Sequence, residues 1–220
     1  MRFMLISDIH GSVKAVEAAA REAEKRDVDI ILVAGDITHF GGADEAEMLL
    51  SRLPGKKIAV PGNCDSPEIV DSFEKSGTLD VHGKKLEVNG LCFAGLGASN
   101  PLPFSTLYTY SEENIGLILD AVMGGCDIMI THTPPLGILD MSMFGHRGGS
   151  ASIRKIVEKY RPALHVFGHM HEAGGAERID STVFVNAGAA RDGNAAIIDL
   201  ENRDTGLEVP DIEFIDLFSG

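Results

Sequence analysis

The chain has 220 residues, 44% of them hydrophobic, which is enough for one sizeable domain or two small ones. Its 19 basic and 33 acidic residues give a net charge of -14, which repels polyanions at long range. Long nucleic acids and anionic membrane surfaces are therefore poor partners. A small anionic substrate would need a local positive site, and bound metal is the obvious source.

The sequence carries the marks of a protein from a reducing compartment. It has 3 cysteines, an odd number without metal-type spacing, which argues against a disulfide framework. The apolar N-terminal run is too short for a signal peptide. No stretch approaches the roughly 20 apolar residues that cross a bilayer. We therefore expect a cytoplasmic protein without a membrane partner.

The first third of the chain alternates predicted strands with predicted helices. Buried-type strands are expected at 3–6, 28–34 and 58–60, and helices at 13–26 and 44–53. Ser12 is the expected N-cap of the first helix. The short connections predict a parallel α/β half.

The middle of the chain combines short strands with two long loops. A helix is expected from Ser66 to about residue 75, then strands at 79–82, 85–88 and 91–94, with Asn89-Gly90 as a hairpin turn. Loops are predicted at 95–110 and 136–150. Between them we expect a helix at 111–123 and a strand at 127–131.

The last third is predicted to end in antiparallel strands. A helix at 151–160 and a strand at 164–167 precede a meander at 177–179, 183–185 and 195–199, and 208–218 reads as an edge strand. The sequence shows no repeat and no linker. We therefore expect a single domain over 1–220, with two sheets that are each covered by helices.

Residues of the type that bind metal follow five of the predicted strands. They are Asp8, His10, Asp36, Asn63, His132, His169 and His171. Parallel α/β sheets carry their functional residues at the carboxyl ends of strands, so these loops can converge on one edge. Mixed oxygen and nitrogen ligands without thiolate suit Mn, Fe, Zn or Co.

The local spacing of these residues favours a pair of ions. Asp8 and His10 are two positions apart, as are His169 and His171, and alternate side chains of an extended segment share a face. Asp36 stands in a Gly-Asp turn, where its two oxygens can bridge two ions. Two ions about 3.5–4 Å apart form a clamp for phosphoryl displacement.

The expected charge of such a centre favours a phosphodiester substrate. Two divalent ions, Asp8, Asp36 and a bridging hydroxide leave about +1 when the histidines are neutral. That charge complements the single negative charge of a phosphodiester. We therefore expect hydrolysis of phosphodiesters by attack of the metal-bridging hydroxide. A phosphomonoesterase or nucleotidase is the alternative.

These clusters resemble the motifs of the calcineurin-like metallophosphoesterases, and most closely those of small single-domain phosphodiesterases. The family motifs stand here as Asp8-x-His10, Gly35-Asp36, Gly62-Asn63-Cys64, His132 and Gly168-His169-Met170-His171. The resemblance covers about residues 3–200. It implies an α/β fold, namely a four-layer αββα sandwich of two mixed β-sheets flanked by helices.

The resemblance also implies a two-ion site with a shared carboxylate. One ion would be held by Asp8, His10, Asp36 and His171, and the other by Asp36, Asn63, His132 and His169. The cofactors would be two divalent ions. Manganese is the first expectation, and iron, zinc, nickel or cobalt are alternatives.

One position departs from the family pattern. Cys64 follows Gly62-Asn63, where the family usually has a histidine that is thought to protonate the leaving oxygen. A thiol is a weak donor, and its pKa should fall beside two cations. His39 and His146 are candidate substitutes. We hypothesise that the enzyme prefers good leaving groups or recruits His39.

Further candidates for substrate binding are Asn63, His146 and Arg147. His146 and Arg147 belong to the second long loop, whereas Asn63 does not. His146 and Arg147 would grip a phosphate, or else form an exposed basic loop. Phe104, Tyr108 and Tyr110 would form an apolar wall, or else pack the first long loop onto the body.

Two more expectations concern partners and the rival class of function. The rival is a non-catalytic metal-binding scaffold of the same fold, which should have lost ligands, whereas all are present here. Met141 and Phe144 could serve the interface of a homo-oligomer. The expected partner in catalysis is a small phosphate ester.

Overall fold

The computed structural model describes residues 1–101, 106–203 and 206–219, and within them strands form two mixed sheets. The strands are Arg2–Ile6 (β1), Ile30–Ala34 (β2), Lys56–Val60 (β3), Thr78–Asp80 (β4), Lys84–Val88 (β5), Leu91–Leu96 (β6), Ile128–Thr131 (β7), Leu164–Phe167 (β8), Gly175–Ile179 (β9), Thr182–Asn186 (β10), Asn194–Arg203 (β11) and Gly206–Asp216 (β12). The α-helices are Val13–Lys25 (α1), Ala43–Leu50 (α2), Asp71–Lys75 (α3), Glu112–Val122 (α4) and Ala151–Tyr160 (α5).

Both sheets have a parallel centre and antiparallel margins. The first has the order β12-β11-β1-β2-β3-β4. Strands β1, β2, β3 and β4 are parallel to one another, and β11 is antiparallel to β1. The second has the order β5-β6-β7-β8-β10-β9, with β6, β7, β8 and β10 parallel. The predicted Asn89-Gly90 turn joins the antiparallel pair β5 and β6.

The alternating faces of β1 show why the sheets stack. Phe3 and Leu5 lie in the core between the sheets, where Phe3 meets Phe93 of β6 edge to face with ring centroids 6.2 Å apart. Met4 and Ile6 face the other way and pack with α1 and α2. A third core joins α4 and α5 to the outer face of the second sheet. The result is the four-layer αββα sandwich that the resemblance implies.

Serine caps fix the starts of three helices. Oγ of Ser12 accepts a hydrogen bond from the backbone N–H of Ala15 at 3.2 Å, which confirms the predicted cap of α1. Ser111 and Ser150 cap α4 and α5 in the same way. Ser150 Oγ also donates to Glu112 at 2.8 Å, which ties the starts of α4 and α5 together.

The predicted closing meander is confirmed for its first two strands, β9 and β10, which pair antiparallel, and is wrong for the third, because β11 belongs to the other sheet. β10 pairs with β8 and β9, whereas β11 pairs with β1 and β12. Ala196 and Ile198 of β11 lie between the sheets, and Ala195 and Ile197 face the helices. A strand that is apolar on both faces belongs inside a sheet, so β11 lies beside β1 and leaves β12 at the edge.

Smaller differences concern helix ends and loops. α2 ends at Leu50, three residues before the predicted end, and the helix expected from Ser66 begins as a 3₁₀ turn over Pro67–Val70. The loop predicted at 136–150 contains no helix or strand. The loop predicted at 95–110 includes residues 102–105, which lie outside the described ones. None of the described helices is both long and apolar enough to cross a bilayer.

Candidate metal centre

The loops that follow β1 and β2 extend the pairing of these strands beyond their ends. The backbone N–H of Asp8 donates to the carbonyl oxygen of Gly35 at 3.0 Å, and that of His10 to the carbonyl oxygen of Asp36 at 2.9 Å. The ladder between β1 and β2 therefore sets the positions of three predicted ligands.

Similar bonds join the second sheet to this edge. The N–H of Gly168 donates to the carbonyl oxygen of His132 at 3.0 Å, which links the loops after β8 and β7. The N–H of His169 donates to Oδ2 of Asp8 at 2.9 Å and so links the two sheets. The predicted convergence of the loops on one edge is what the structure has.

The backbone is left-handed at four of the predicted ligands. Asp8, His10, Asp36 and His169 have φ of 54°, 47°, 50° and 68°. This conformation costs a non-glycine residue roughly 1–2 kcal/mol. Such residues cluster at functional sites when surrounding contacts over-determine them, as the inter-loop hydrogen bonds do here.

Asp8, His10 and His171 form the first ligand group. Oδ1 of Asp8 lies 3.0 Å from Nε2 of His171 and 3.9 Å from Nε2 of His10. The two histidine Nε2 atoms are 3.4 Å apart. Their ligand atoms all lie within 4.8 Å of one another, so one ion can reach all three.

His132, Asn63 and Asp36 form a second group, in which hydrogen-bond acceptors face one another. Nδ1 of His132 lies 2.8 Å from the carbonyl oxygen of Ala34, which only accepts, so Nδ1 carries the proton. In the tautomer that can bind a metal ion, Nε2 then carries a lone pair. It lies 2.9 Å from Oδ1 of Asn63 and 3.5 Å from Oδ1 of Asp36. These three acceptors converge without a donor between them, so a cation is the partner that would satisfy them.

Asp36 stands between the two groups. Its Oδ1 faces His132, and its Oδ2 lies 3.7 Å from Nε2 of His10. Oδ1 is held by the backbone N–H of Cys64 at 2.8 Å. A Cβ atom at Gly62 would overlap Asp36, so a glycine is required at this point of the Gly-Asn motif. The two oxygens are therefore placed to bridge two ions.

The last predicted ligand, His169, contacts the second group through its ring. Its ring centroid is 5.0 Å from that of His132, in an edge-on arrangement. Within the part of the chain that the structure describes, its ring nitrogens make no hydrogen bond. An imidazole that is free of partners beside a group of acceptors suits a metal ligand.

The electrostatics of the ion-free protein also fit divalent ions. Burial, together with the nearby charge of Asp8, raises the pKa of Asp36 to about 6. Burial alone would raise the pKa of Asp8, but the hydrogen bond from His171 and the nearby charges of His132 and His171 together outweigh it and hold that pKa below its ordinary range. Burial lowers the pKa of His10 to about 4 and that of His169 to about 3. Neutral imidazoles and a carboxylate that needs a counter-charge are what a metal centre requires.

The two catalytic candidates beside the ligands lie on the side of His10 and Asp36. Cys64 is half-buried, and burial together with the charge of Asp36 raises the pKa of its thiol in the absence of ions. His39 is exposed, with Nδ1 3.4 Å from Nδ1 of His10. Their catalytic roles stay predictions.

The loop residues His146 and Arg147 are not joined to the ligands. Nη1 of Arg147 contacts Oδ1 of the buried Asp140 at 2.6 Å, and Asp140 also accepts from the N–H of Gly137 at 2.9 Å. His146 is exposed, and in the described ranges neither residue hydrogen-bonds to a predicted ligand. Arg147 therefore stabilises its own loop through Asp140. A role for either residue in substrate binding stays a prediction.

The sequence interpretation missed Asp65, which fixes the loops after β2 and β3. This buried carboxylate accepts from the N–H of Ile37 at 3.1 Å and of Gly62 at 2.7 Å. It also accepts from the N–H and the hydroxyl of Thr38, both at 2.8 Å. Its position directly after Asn63 and Cys64 was the available signal.

Arg191 is the second residue that was missed. Its Nη2 lies 3.2 Å from Nδ1 of His171, and its backbone N–H donates to the carbonyl oxygen of Asp8 at 3.3 Å. It follows β10 within a glycine- and alanine-rich loop, and a lone cation in a loop after a strand was the available signal. It brings positive charge to the edge of the ligand groups.

The aromatic residues of the first long loop pack onto the body. Nδ1 of His82 accepts from the N–H of Gly97 at 2.9 Å, so its Nε2 carries the proton and donates to the hydroxyl of Tyr108 at 2.8 Å. The hydroxyls of Tyr108 and Tyr110 are 2.8 Å apart. His82 therefore has a structural role, whereas Phe104 lies outside the described residues.

The apolar residues expected at an interface are exposed. Met141 is 42% and Phe144 80% accessible. A homo-oligomer stays a prediction, since no second copy of the chain tests it.

Comparison with known proteins identifies the family. The family model described as calcineurin-like phosphoesterase matches residues 1–173. An uncharacterized protein of Methanocaldococcus jannaschii, MJ1162, is 35% identical over 196 residues, which are 84% of this chain and 87% of that one. The human metallophosphoesterase domain-containing protein 1 is 45% identical over 220 residues, which cover 84% of this chain and 65% of that one.

Solved structures share the fold at low sequence identity. TT1561 of Thermus thermophilus has a TM-score of 0.77 at 18% identity, with 98% of each chain covered. A dimetal phosphatase from Danio rerio has a TM-score of 0.64 at 12% identity, with 99% of each chain covered. A novel archaeal phosphodiesterase has a TM-score of 0.59 at 15% identity, covering 98% of this chain and 99% of that one.

Proposed function

Because this chain belongs to the calcineurin-like phosphoesterases, we propose that it hydrolyses phosphodiester bonds with two divalent ions. The first ion would be held by Asp8, His10, Asp36 and His171, and the second by Asp36, Asn63, His132 and His169. The observation that carries this proposal is the placement of Asp36, whose two oxygens face two different histidines.

The metal centre would supply the nucleophile and most of the positive charge. Two bound divalent ions acidify water for attack at neutral pH and neutralise the charge that develops on the phosphoryl oxygens. The residues of the chain would position the ions, through the carboxylate of Asp36 and through the hydrogen bond from Nδ1 of His132 to the carbonyl oxygen of Ala34, which fixes the ring. A singly charged diester suits the expected charge of about +1.

Arg191 supports an anionic substrate. When Nε2 of His171 serves as a metal ligand, its Nδ1 carries the proton and no longer accepts from Arg191. The guanidinium is then free to bind a phosphoryl oxygen, to which it can make charge-assisted hydrogen bonds. In a chain with a net charge of -14, such a cation at the rim would retain the substrate.

We further propose that His39 supplies the proton for the leaving group. It is accessible and lies beside His10, whereas Cys64 is a weak donor at the position where the family has a histidine. The test compares His39→Ala and Cys64→His on an aryl diester with a good leaving group and on an alkyl diester with a poor one. A His39→Ala variant with full activity on the poor leaving group would exclude His39 as the donor.

A phosphomonoesterase is the second candidate, and the charge of Arg191 is the observation that favours it. An added cation would raise the charge of the site towards that needed by a dianionic monoester. The dimetal phosphatase among the structural neighbours and the phosphodiesterase share this fold, so the fold does not choose between the two substrates.

The decisive experiment is a screen of metals against substrates. The purified chain is stripped of metal and reloaded with Mn, Fe, Zn, Ni or Co, and bound metal is measured for each. Turnover of an aryl phosphodiester, the matching monoester and cyclic nucleotides is then compared. We expect two ions per chain and a higher kcat/KM on the diester. A higher value on the monoester would favour the second candidate, and full metal loading without any hydrolysis would favour a binding protein.

A further inference from the structure

We propose that Sγ of Cys64 is itself a ligand of the ion held by His10 and Asp36. This inference deepens the proposed function and rests on it, since it assigns a further donor to the same centre. It replaces the idea that position 64 has merely lost a proton donor. The thiol would decide which metal the centre prefers.

The geometry brings three donors from three separate loops to one point. A ring nitrogen of His10, a carboxylate oxygen of Asp36 and Sγ of Cys64 all lie within 4.8 Å of one another. Donors that share an ion lie roughly 3–3.5 Å apart when the ion–donor distances are about 2.0–2.3 Å, and Sγ would be a fifth donor to this ion. Small side-chain shifts therefore bring all three onto one ion.

The backbone around Cys64 holds the thiol in this position. Its N–H donates to Oδ1 of Asp36 at 2.8 Å, and its carbonyl oxygen accepts from the N–H of Phe40 at 3.1 Å. The neighbouring Asn63 amide points its Nδ2 at Sγ over 3.5 Å. A side chain that is fixed on both sides and contacts two predicted ligands is placed as a ligand would be.

The chemistry of the step is simple exchange of a proton for a metal ion. The S–H bond breaks, the proton leaves to solvent, and both electrons of the sulfur lone pair form the bond to the ion. No oxidant or reductant takes part. Because the thiolate adds one negative charge, the charge of the centre falls from about +1 to about 0, which disfavours a dianionic monoester more than a singly charged diester.

The inference changes the expected metal. Oxygen and nitrogen donors alone accept manganese, whereas a thiolate selects softer ions such as zinc, iron or cobalt. The protein should therefore bind zinc and cobalt more tightly than manganese. Nitrogen and oxygen ligands alone already favour zinc and cobalt over manganese, so replacement of Cys64 by serine should narrow that preference without abolishing it.

Cobalt provides a readout that does not depend on activity. Thiolate bound to cobalt gives a strong charge-transfer absorption in the near ultraviolet, which oxygen and nitrogen ligands do not give. The experiment titrates cobalt into the metal-free wild type, Cys64→Ser and the control Cys92→Ser/Cys126→Ser. The control pair lies at the start of β6 and before β7, with the two Sγ atoms close together and away from the ligands.

We expect the band in the wild type and in the control, and its loss in Cys64→Ser, together with a fall of about tenfold or more in zinc affinity. Manganese affinity should stay the same. A wild type that binds two cobalt ions without the band would overturn the inference and leave the proposed function standing, as would a band that survives in Cys64→Ser. A wild type that binds no cobalt, zinc or manganese would overturn both.

Discussion

Nδ1 of His132 is bonded to the carbonyl oxygen of Ala34 over 2.8 Å, at the point where β2 ends. This bond fixes the ring so that Nε2 faces the centre. It also spans the two sheets, because His132 follows β7 of the second sheet and Ala34 belongs to the first. One contact therefore both orients a predicted ligand and links the two sheets.

A substitution can separate the roles of the two ring nitrogens of His132. The amide nitrogen of an asparagine can take the place of Nδ1, so we expect His132→Asn to keep the bond to Ala34 and most of the thermal stability. It should bind one ion fewer and lose activity by about a hundredfold or more. Metal content and melting temperature check this. His132→Ala is the matched variant and should lose stability as well; equal melting temperatures for the two would contradict the argument.

Arg191 is expected to act on substrate binding. Loss of a charge-assisted hydrogen bond to phosphate costs about 1.5–3 kcal/mol, so Arg191→Ala should raise KM for a diester by at least about tenfold. The melting temperature should change little, and Arg191→Lys should recover part of the loss. Steady-state kinetics measure this. The control is Arg154→Ala, since Arg154 pairs with Glu158 on α5. An unchanged KM in Arg191→Ala would exclude the role.

Asp65 is expected to be essential for stability. An asparagine would turn an NH₂ group towards backbone N–H donors that now meet a carboxylate oxygen. We expect Asp65→Asn to lower the free energy of unfolding by about 3 kcal/mol and to weaken metal binding, because the loops of Asp36 and Asn63 lose their shared anchor. Denaturant unfolding measures the change. The exposed Asp71→Asn should be neutral, and equal effects of the two would show that Asp65 is not an anchor.

Gly168 has no room for a side chain. A Cβ atom there would overlap Oγ of Ser7 and lie 2.5 Å from Oδ2 of Asp8. We expect Gly168→Ala to destabilise the fold by about 3 kcal/mol, at the upper end of overpacking costs, and to reduce metal affinity. Gly124→Ala is the control, since nothing lies within 4 Å of a Cβ at Gly124. A stable Gly168→Ala variant that retains its metal would contradict this account.

His165 should make the protein sensitive to acid. It is fully buried between Phe167 and Phe184. The hydroxyl of Thr131 donates to the carbonyl oxygen of Thr133 at 2.6 Å and must therefore accept from Nε2 of His165, which leaves Nδ1 as a buried lone pair without a donor.

Burial lowers the pKa of His165 to about 3, against about 6.5 in the unfolded chain. Between these values the unfolded state binds the extra proton, so stability falls as the pH falls below 6.5, by up to about 1.4 kcal/mol per pH unit. We expect His165→Phe to flatten this slope, whereas the exposed His146→Gln should keep it. Denaturant unfolding of the metal-free proteins between pH 4 and 7 measures the slopes. An unchanged slope in His165→Phe would refute the assignment.

The sequence predicted the strands and the ligands for the same reason. A buried parallel strand is a continuous apolar run in the sequence, and the predicted ligands stand directly after such runs. The same local pattern therefore predicts both the strands and the ligands. The structure confirms the layers and brings His10, Asp36 and His132 together across loops that are far apart in sequence.

The residues that were missed are defined by tertiary contacts. The role of Asp65 depends on N–H groups some 28 positions away, and that of Arg191 depends on His171, which is separated from it in sequence by both β9 and β10. The pairing of β11 with β1 could not be predicted either, because both faces of an apolar strand can be buried in either sheet. The local sequence does not determine which sheet such a strand joins or which distant groups a polar side chain contacts.

The left-handed backbone at Asp8, His10, Asp36 and His169 bears on how such a chain would diverge. Glycine adopts this conformation freely, so each replacement by glycine would relieve local strain and, at the two carboxylates, remove a buried charge. Stability and hydrolysis therefore pull in opposite directions at these positions. A descendant freed from selection for turnover would be expected to gain stability by losing these side chains.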